Sequence, residues 1–450
     1  MPSIFTGGNA GIRALVERTS WKIIAHNRYW SANTDYAKAN GGAWDFFVDP
    51  AGAGQMAVPL QQAFWEWLLT SSVTEWGLTT YEQDWLYNEL EGTEALLTNV
   101  TLGRQWLVDM GAGAEAAGVS MQLCMAYPRH ALATLEMPTA TQIRASDDHV
   151  PGAGPRGGDS TIQWQMGYSS MLAWAIGLAP FKDNYWSTAQ QPGSSCGKNA
   201  TEITPSLHNA ASTFSAGPVT PGDGVGMSDV AQILRACTAS GRLLHPSRPM
   251  TALDSQVVGD VFGPAPGRPA GDVYATYSAV SGLVWDHVMG VNLKSAYAVT
   301  PADFAAIRGD LALRSDFAPA PSAPPAALAY AFNADTLDPA TLTVAPFGAA
   351  SPITLTACAI ADFQVAHTAP VFGNGWALLG ELGKWVPVAE ARFSNIQADA
   401  AQVSVEVAGQ AGESIAVAFY DTAASKTVMV QCTLPESGRA TAAVPSATCQ

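Results

Sequence analysis

Two regimes of hydrophobic and polar patterning divide the chain near residue 255. Up to that point, short apolar runs alternate with helical periods. The run "WKIIAHNRYW" (21–30) predicts a strand opening into a polar mouth. In "QQAFWEWLLTSSVTEW" (61–76), Phe64, Trp67 and Leu68 recur at i, i+3 and i+4, the spacing of an amphipathic helix. "LTTYEQDWL" then reads as a strand ending in acids, and "LGRQWLVDMGAGAEAAG" as a helix. "VSMQLCMAYPRH" is a strand ending at Tyr127 and Arg129, and "PTATQIRASDD" is another. "TIQWQMGYSSMLAWAIG" predicts a helix, "LAPFKDNYWS" and "AGPVTPGDGVG" predict strands, and "MSDVAQILRACTASG" a closing helix.

Such β-α alternation predicts a parallel sheet, open or closed. The polar residues favour closure. His26, Asp84, Tyr127, Asp147, Asp183 and Asp223 each fall at the C-terminal side of a strand-like run, the active-site face of a (β/α)₈ barrel. Asp147 follows Asp84 at about the length of two βα units of such a barrel, roughly 62 residues. The alternative is an open doubly wound sheet, for which no GxGxxG follows a strand. Beyond residue 255, "APAPSAPPAA" (318–327) reads as a connector. After it, "TLTVAPF", "GWALLGELGKWVPV", "QVSVEVAG", "SIAVAFYDT" and "KTVMVQCTL" alternate at short intervals, predicting an antiparallel β-sandwich. The expected organisation is a catalytic (β/α) barrel over 1–255 and a sandwich over 256–450.

Composition narrows the function classes. A formal net charge of −16 disfavours a nucleic-acid partner. No apolar run reaches the roughly 20 residues of a membrane span, and the first residues have no signal-peptide pattern. The 6 cysteines lack metal spacing and read as buried single thiols more readily than as a disulfide set. Asn99-Val-Thr101 and Asn199-Ala-Thr201 are glycosylation sequons of a kind that also arises by chance.

Two carboxylates at the ends of two barrel strands, in a mouth rich in Trp and Tyr, suit glycosidic bond cleavage. One acid protonates the leaving oxygen while the other attacks or flanks the anomeric carbon. An acid at a strand end can equally cap the next helix or pair with an arginine. Adjacent Asp147 and Asp148 are harder to read that way, because like charges side by side are costly unless Arg144 offsets them.

The stretches "IRASDDHVPG", "IQWQMGYSSMLAWAIGLAPFKDNYWS" and "AGPVTPGDGVG" resemble the second half of the clan D glycoside hydrolase barrel, above all the raffinose-synthase-like branch of α-galactosidase family thirty-six. "QLCMAYPRH" sits where that branch has a Cys-Met strand, and "YEQDWL" where the clan has its nucleophile strand. The resemblance covers about residues 10 to 255. It implies a retaining α-glycosidase, hydrolase or transglycosylase, with Asp84 as nucleophile, Asp147 as acid/base and Arg144 near the sugar 2-hydroxyl. A family twenty-seven pattern would select Asp148 in place of Asp147. His26, Trp30, Tyr127, Arg129, Asp183 and Asp223 are expected along the same mouth.

There are departures from that pattern. Gln83 precedes Asp84 where the clan usually has another residue, and Glu82 stands where a lysine often contacts the sugar, which puts a galactose preference in doubt. The first two barrel strands have no counterpart. An open six-stranded sheet would expose two edges, so the expectation is an N-terminally incomplete chain, secreted or vesicular if the missing part carries a signal peptide. No cofactor and no metal ligand is expected, although His26 and His149 could contribute to a metal-binding alternative. The partner is an oligosaccharide or glycoside, with no oligomeric state indicated. A second alternative is a non-catalytic carbohydrate-binding relative or an inactive fragment of such an enzyme.

Overall fold

The computed structural model describes residues 6–50, 54–151, 163–194, 200–263, 269–313 and 326–450. Most of the 318–327 connector, Asn199 of the second sequon and Cys196 lie outside these. The chain forms two compact units: Met1–Arg144 with Leu172–Pro180, and Ala145–Met171 with Phe181–Gln450.

The first unit is built on parallel strands. Its elements are β1 (Ile23–Asn27), β2 (Trp30–Ser31), β3 (Phe46–Asp49), β4 (Met56–Pro59), β5 (Leu78–Gln83), β6 (Ser120–Leu123), β7 (Ala140–Arg144) and β8 (Ala179–Phe181). The main sheet runs β1-β5-β6-β7-β8, with the β1–β5, β5–β6 and β6–β7 pairs parallel. Among the described residues this is an open path of five strands, which has the parallel sheet expected of a (β/α)₈-type barrel lacking its first two strands but does not trace the barrel itself. The run "AGPVTPGDGVG" supplies no strand, only an isolated parallel bridge from Pro221 to Tyr185. Pro218 and Pro221 have no N–H to give a ladder, and the glycines around them favour turns. The predicted closing helix shrinks to Val230–Ile233, capped by Asp229.

Between β1 and β5 the chain makes a small antiparallel sheet, β2-β4-β3, which the patterning does not announce. Its aromatic residues pack with the helix Gln62–Trp76. The helix turns a different face inward from the one predicted: Phe64, Trp65 and Leu69 are buried, and Trp67 is exposed. Trp65 wins because it meets Tyr81 of β5 at 5.8 Å and the helix Leu102–Ala117. There, a Cβ on Gly113 would fall 2.4 Å from the Trp65 Cβ. Only glycine permits that approach.

The second unit is dominated by antiparallel strands. Asp272–Val280 and Leu283–Val291 form a hairpin that continues through Gln364–Val371, Trp376–Gly380, Ser414–Asp421 and Lys426–Thr433. A separate four-stranded sheet contains Phe393–Ala398, Val403–Ala408, Arg439–Val444 and Thr448–Cys449. In "VSVEVA" the three valines are buried while Ser404 and Glu406 face away, the period-2 alternation of the sequence. Val405, Val417, Phe419, Trp285 and Trp385 belong to one core. That core also takes in Leu207, Ala210, Ala211 and Phe214, which lie on the buried helix Pro205–Phe214. This unit therefore reaches well upstream of residue 255.

Cys432 and Cys449 form a disulfide 17 residues apart, while Cys124, Cys237 and Cys358 are free. The expectation of single thiols thus holds for these three and fails for the pair. Adjacent hairpins bring Cys432 and Cys449 together at 5.3 Å between Cα atoms, which sequence spacing does not reveal. Cys449→Ser is expected to cost about 3 kcal/mol, the chain-entropy value for a loop of this size. Urea unfolding with and without reductant checks this: reductant should destabilise the wild type and leave the variant unchanged. No helix of the described residues is long and apolar enough to cross a membrane.

Candidate active site

Parallel strands bring all their C-terminal ends to one edge of the sheet. Side-chain alternation then sorts what stands there. Tyr81 and Gln83 face the helices and are buried. The opposite face carries His26 from β1, paired in register with Glu82 of β5, and Glu82 is paired with Gln122 of β6. Gln122 pairs in turn with Gln142 of β7. The amide of Gln122 donates to Glu82 at 2.9 Å, and that of Gln142 donates to Gln122. By the same alternation Asp84, Cys124 and Arg144 fall on this face, so one polar stripe crosses four strands.

Asp84 is the focus of the stripe. Its N–H donates to the Asn27 carbonyl at 2.8 Å, continuing the β1–β5 ladder. The next residue, Trp85, is left-handed at φ 57°, a conformation that costs energy for a large side chain and marks over-determined sites. Its ring is held under the Arg28 guanidinium at 4.8 Å and beside Tyr29 at 5.6 Å. This sharp turn brings the Trp85 N–H back to Asp84 Oδ1 at 2.7 Å, while Oδ2 meets His26 Nε2 at 2.9 Å. Burial pushes the Asp84 carboxyl up, but hydrogen bonds from His26, the Cys124 thiol and the Trp85 amide outweigh it and hold the group below its ordinary value. Behind it, the Gln83 amide donates to the Arg28 carbonyl at 2.6 Å and accepts from Tyr81 at 3.0 Å. Gln83 is thus a buried brace. Five residues after Asp84, Glu89 is fully buried and desolvation alone raises its carboxyl well above the usual range. The acids of this one stretch are driven in opposite directions.

The other expected residues of this unit lie elsewhere. Trp30 belongs to the aromatic cluster, 5.3 Å from both Tyr36 and Phe64. Tyr127 caps the helix Pro128–Ala133 and bonds Glu91 through its hydroxyl. Arg129 lines a groove with Gly103, Trp106 and Glu136 on the helical layer. The strand ends at Leu123, before these residues, so the register that put them at its mouth was too long.

In the second unit, Asp147 and Asp148 are exposed. Their segment is strapped to the one after β8. Ala145 N–H donates to the Phe181 carbonyl at 2.8 Å, and Asp183 N–H donates to Ser146 Oγ at 2.9 Å. Asp183 Oδ2 accepts the His149 N–H at 2.6 Å. Asp183 therefore positions the Asp147–Asp148 turn. Asp223 accepts from the Ser187 N–H, the Ser187 hydroxyl and the Gln191 amide at 2.8, 2.6 and 3.0 Å. Its carboxylate is engaged in holding a loop.

Nearby, His149 and His208 approach Glu202 at 3.5 and 3.4 Å, all three buried. Burial, with the Lys182 charge adding to it, pushes His149 down to about 3 and lowers His208. Glu202 and His208 carry no sequence signal, because each stands alone among polar residues that read as a loop.

No family model and no curated protein matches the chain. Among solved structures, a provisionally named alpha-galactosidase/melibiase from Bacteroides fragilis is 11% identical over 80% of this chain, with a TM-score of 0.46. The chain spans 65% of the length of that structure. A family 44 endoglucanase from Clostridium thermocellum is 10% identical, covering 80% of this chain and 83% of its own, at a TM-score of 0.32. A family 86 glycoside hydrolase in complex with neoagarooctaose is also 10% identical, covering 97% and 80%, at 0.31. With every TM-score below 0.5, these are likenesses and carry no assignment.

Proposed function

We propose that the chain is a retaining α-glycosidase, an α-galactosidase-like hydrolase or transglycosylase, with Asp84 as nucleophile and Asp147 as acid/base. The observation that carries this is Asp84 itself. It is a buried carboxylate at the C-terminal end of a central parallel strand, kept ionised by three donors. In double displacement, Asp84 attacks the anomeric carbon as Asp147 protonates the departing oxygen. Asp147 then removes a proton from the water that opens the glycosyl ester. The Cys124 thiol and His26 would steady the carboxylate, and Arg144 at the end of β7 supplies positive charge for a sugar hydroxyl. Asp148 and Asp183 would act through the turn that carries Asp147. Residues 1–255 are proposed as the catalytic part, with no cofactor required.

The exposure of Asp147 and Asp148 favours a second reading, a carbohydrate-binding relative without turnover, since acids that hold a proton near neutrality are commonly buried. A panel of aryl α-glycosides separates the two. On substrates with good leaving groups, Asp147→Ala is expected to retain much of its first-step rate, and added azide should accelerate turnover by attacking the ester that lacks its base. Rescue in Asp148→Ala and not in Asp147→Ala would exchange their roles. Binding without turnover of any α-glycoside by the full chain would establish the second reading.

A further inference from the structure

We infer that His149, Glu202 and His208 form a binding site for one divalent transition-metal ion, with zinc the best match to the ligand set. One ligand atom from each residue can be chosen so that all lie within 4.8 Å of one another. The closest approaches are 3.5 Å from His149 Nε2 to Glu202 Oε2 and 3.4 Å from His208 Nε2 to Glu202 Oε1. Ligands bound tetrahedrally at about 2.0–2.1 Å stand roughly 3.4 Å apart, which matches the two histidine–glutamate spacings.

Satisfaction of the polar atoms points the same way. Both nitrogens of His149, both of His208 and Glu202 Oε2 are buried and have no hydrogen-bond partner among the described residues. Buried polar atoms are nearly always paired, and here one nitrogen of each imidazole stands 3.4–3.5 Å from the Glu202 carboxylate without forming a hydrogen bond. Glu202 Oε1 accepts the Thr204 N–H at 2.9 Å, an outer contact of the kind that fixes a ligating carboxylate. Among the described residues, the Lys182 charge opposes a cation, and its ammonium is directed to the carbonyls of Asp183 and Asn184 at 3.3 and 2.9 Å.

Two imidazoles and a carboxylate, without a thiol, suit zinc and its neighbours better than magnesium or calcium. The ligands come from the segment after Asp147–Asp148 and from either side of the start of the helix Pro205–Phe214. A bound ion would therefore clamp that segment to the helix, a structural role independent of the proposed glycosidase activity.

The full chain, stripped with a chelator and dialysed, tests this with Zn²⁺ and Co²⁺. One equivalent of Zn²⁺ should bind by calorimetry, and Tm should rise as free Zn²⁺ increases. Co²⁺ should give the intense visible absorption of a four-coordinate site, without a sulfur-to-metal charge-transfer band. His208→Gln and His149→Gln should each lose that absorption while keeping the far-ultraviolet circular dichroism of the parent. The wild-type measurements stand even where a variant does not fold. Failure of the wild type to bind either ion, a sulfur charge-transfer band, or binding retained in a folded double histidine variant would each overturn the assignment.

Discussion

Asp84→Asn is expected to lower turnover of every glycoside the full chain cleaves by on the order of 10⁴-fold or more, because an amide cannot form the glycosyl ester. The change is nearly isosteric and keeps the acceptor for the Trp85 N–H, so the fold should persist. Circular dichroism and the unfolding midpoint would verify that. A smaller replacement, Asp84→Gly, leaves room for azide, which should yield a glycosyl azide of inverted anomeric configuration. Trapping the wild type with an activated fluorosugar should label the peptide containing Asp84 in a mass spectrum. A label on any other acid, or full turnover by Asp84→Asn, would remove Asp84 from the chemistry. The pH dependence follows from the same geometry. Because its bonds hold Asp84 below its ordinary value of 3.8, they stabilise the fold fully above that value. Their contribution is lost as pH falls through the lower folded value.

Arg392→Ala is expected to cost about 3–5 kcal/mol of stability, the range for removing one partner of a buried ion pair. Arg392 is buried and donates to Glu381 at 2.9 Å, to Glu413 at 2.6 Å and to the Ala408 carbonyl at 2.9 Å. Truncation leaves Glu413 without the guanidinium and Glu381 with the Lys384 ammonium at 3.6 Å in its place. Urea denaturation measures the loss, and a change below about 1 kcal/mol would mean that water replaces the guanidinium freely. Burial pushes Glu413 up, but Arg392 and the N–H groups of Gln410 and Ala239 bring it from 4.5 down to about 2. Its contribution is therefore complete above pH 4.5 and lost as pH falls through about 2. The variant should show a flatter acid limb than the wild type.

The strands of the parallel sheet were legible because each is a short apolar run closed by polar residues, and the positions of His26 and Asp84 at their ends followed. The polar stripe was also written there, as Glu82/Asp84, Gln122/Cys124 and Gln142/Arg144, two residues apart on three successive strands. Strand ends were the weak point. Tyr127 and Arg129 lie beyond Leu123 on a helix, since Pro128 starts a helix as readily as it ends a strand. The Gln62–Trp76 face was misread because aromatic residues occur all round it, and Gly113 on another helix decided which was buried. The helix Pro205–Phe214 was missed for the opposite reason: Ser206, His208, Asn209, Ser212 and Thr213 read as surface, yet all are buried. Nothing local signals that, because their setting is built from residues far along the chain.

That buried helix also dictates when the second unit can be finished on the ribosome. Its Asn209 bonds Trp385, 176 residues later, and its apolar residues share a core with Val417 and Phe419. The first unit has all its strands and helices once Pro180 has emerged, and domains commonly fold in that order during synthesis. At roughly 5–20 residues per second, the helix then waits on the order of ten seconds or more for its covering strands. During that interval Leu207 and Phe214 are exposed to solvent and to chaperones. Slower synthesis would lengthen the vulnerable interval, so the yield of soluble protein should depend more on translation rate and chaperone supply after residue 205 than before it.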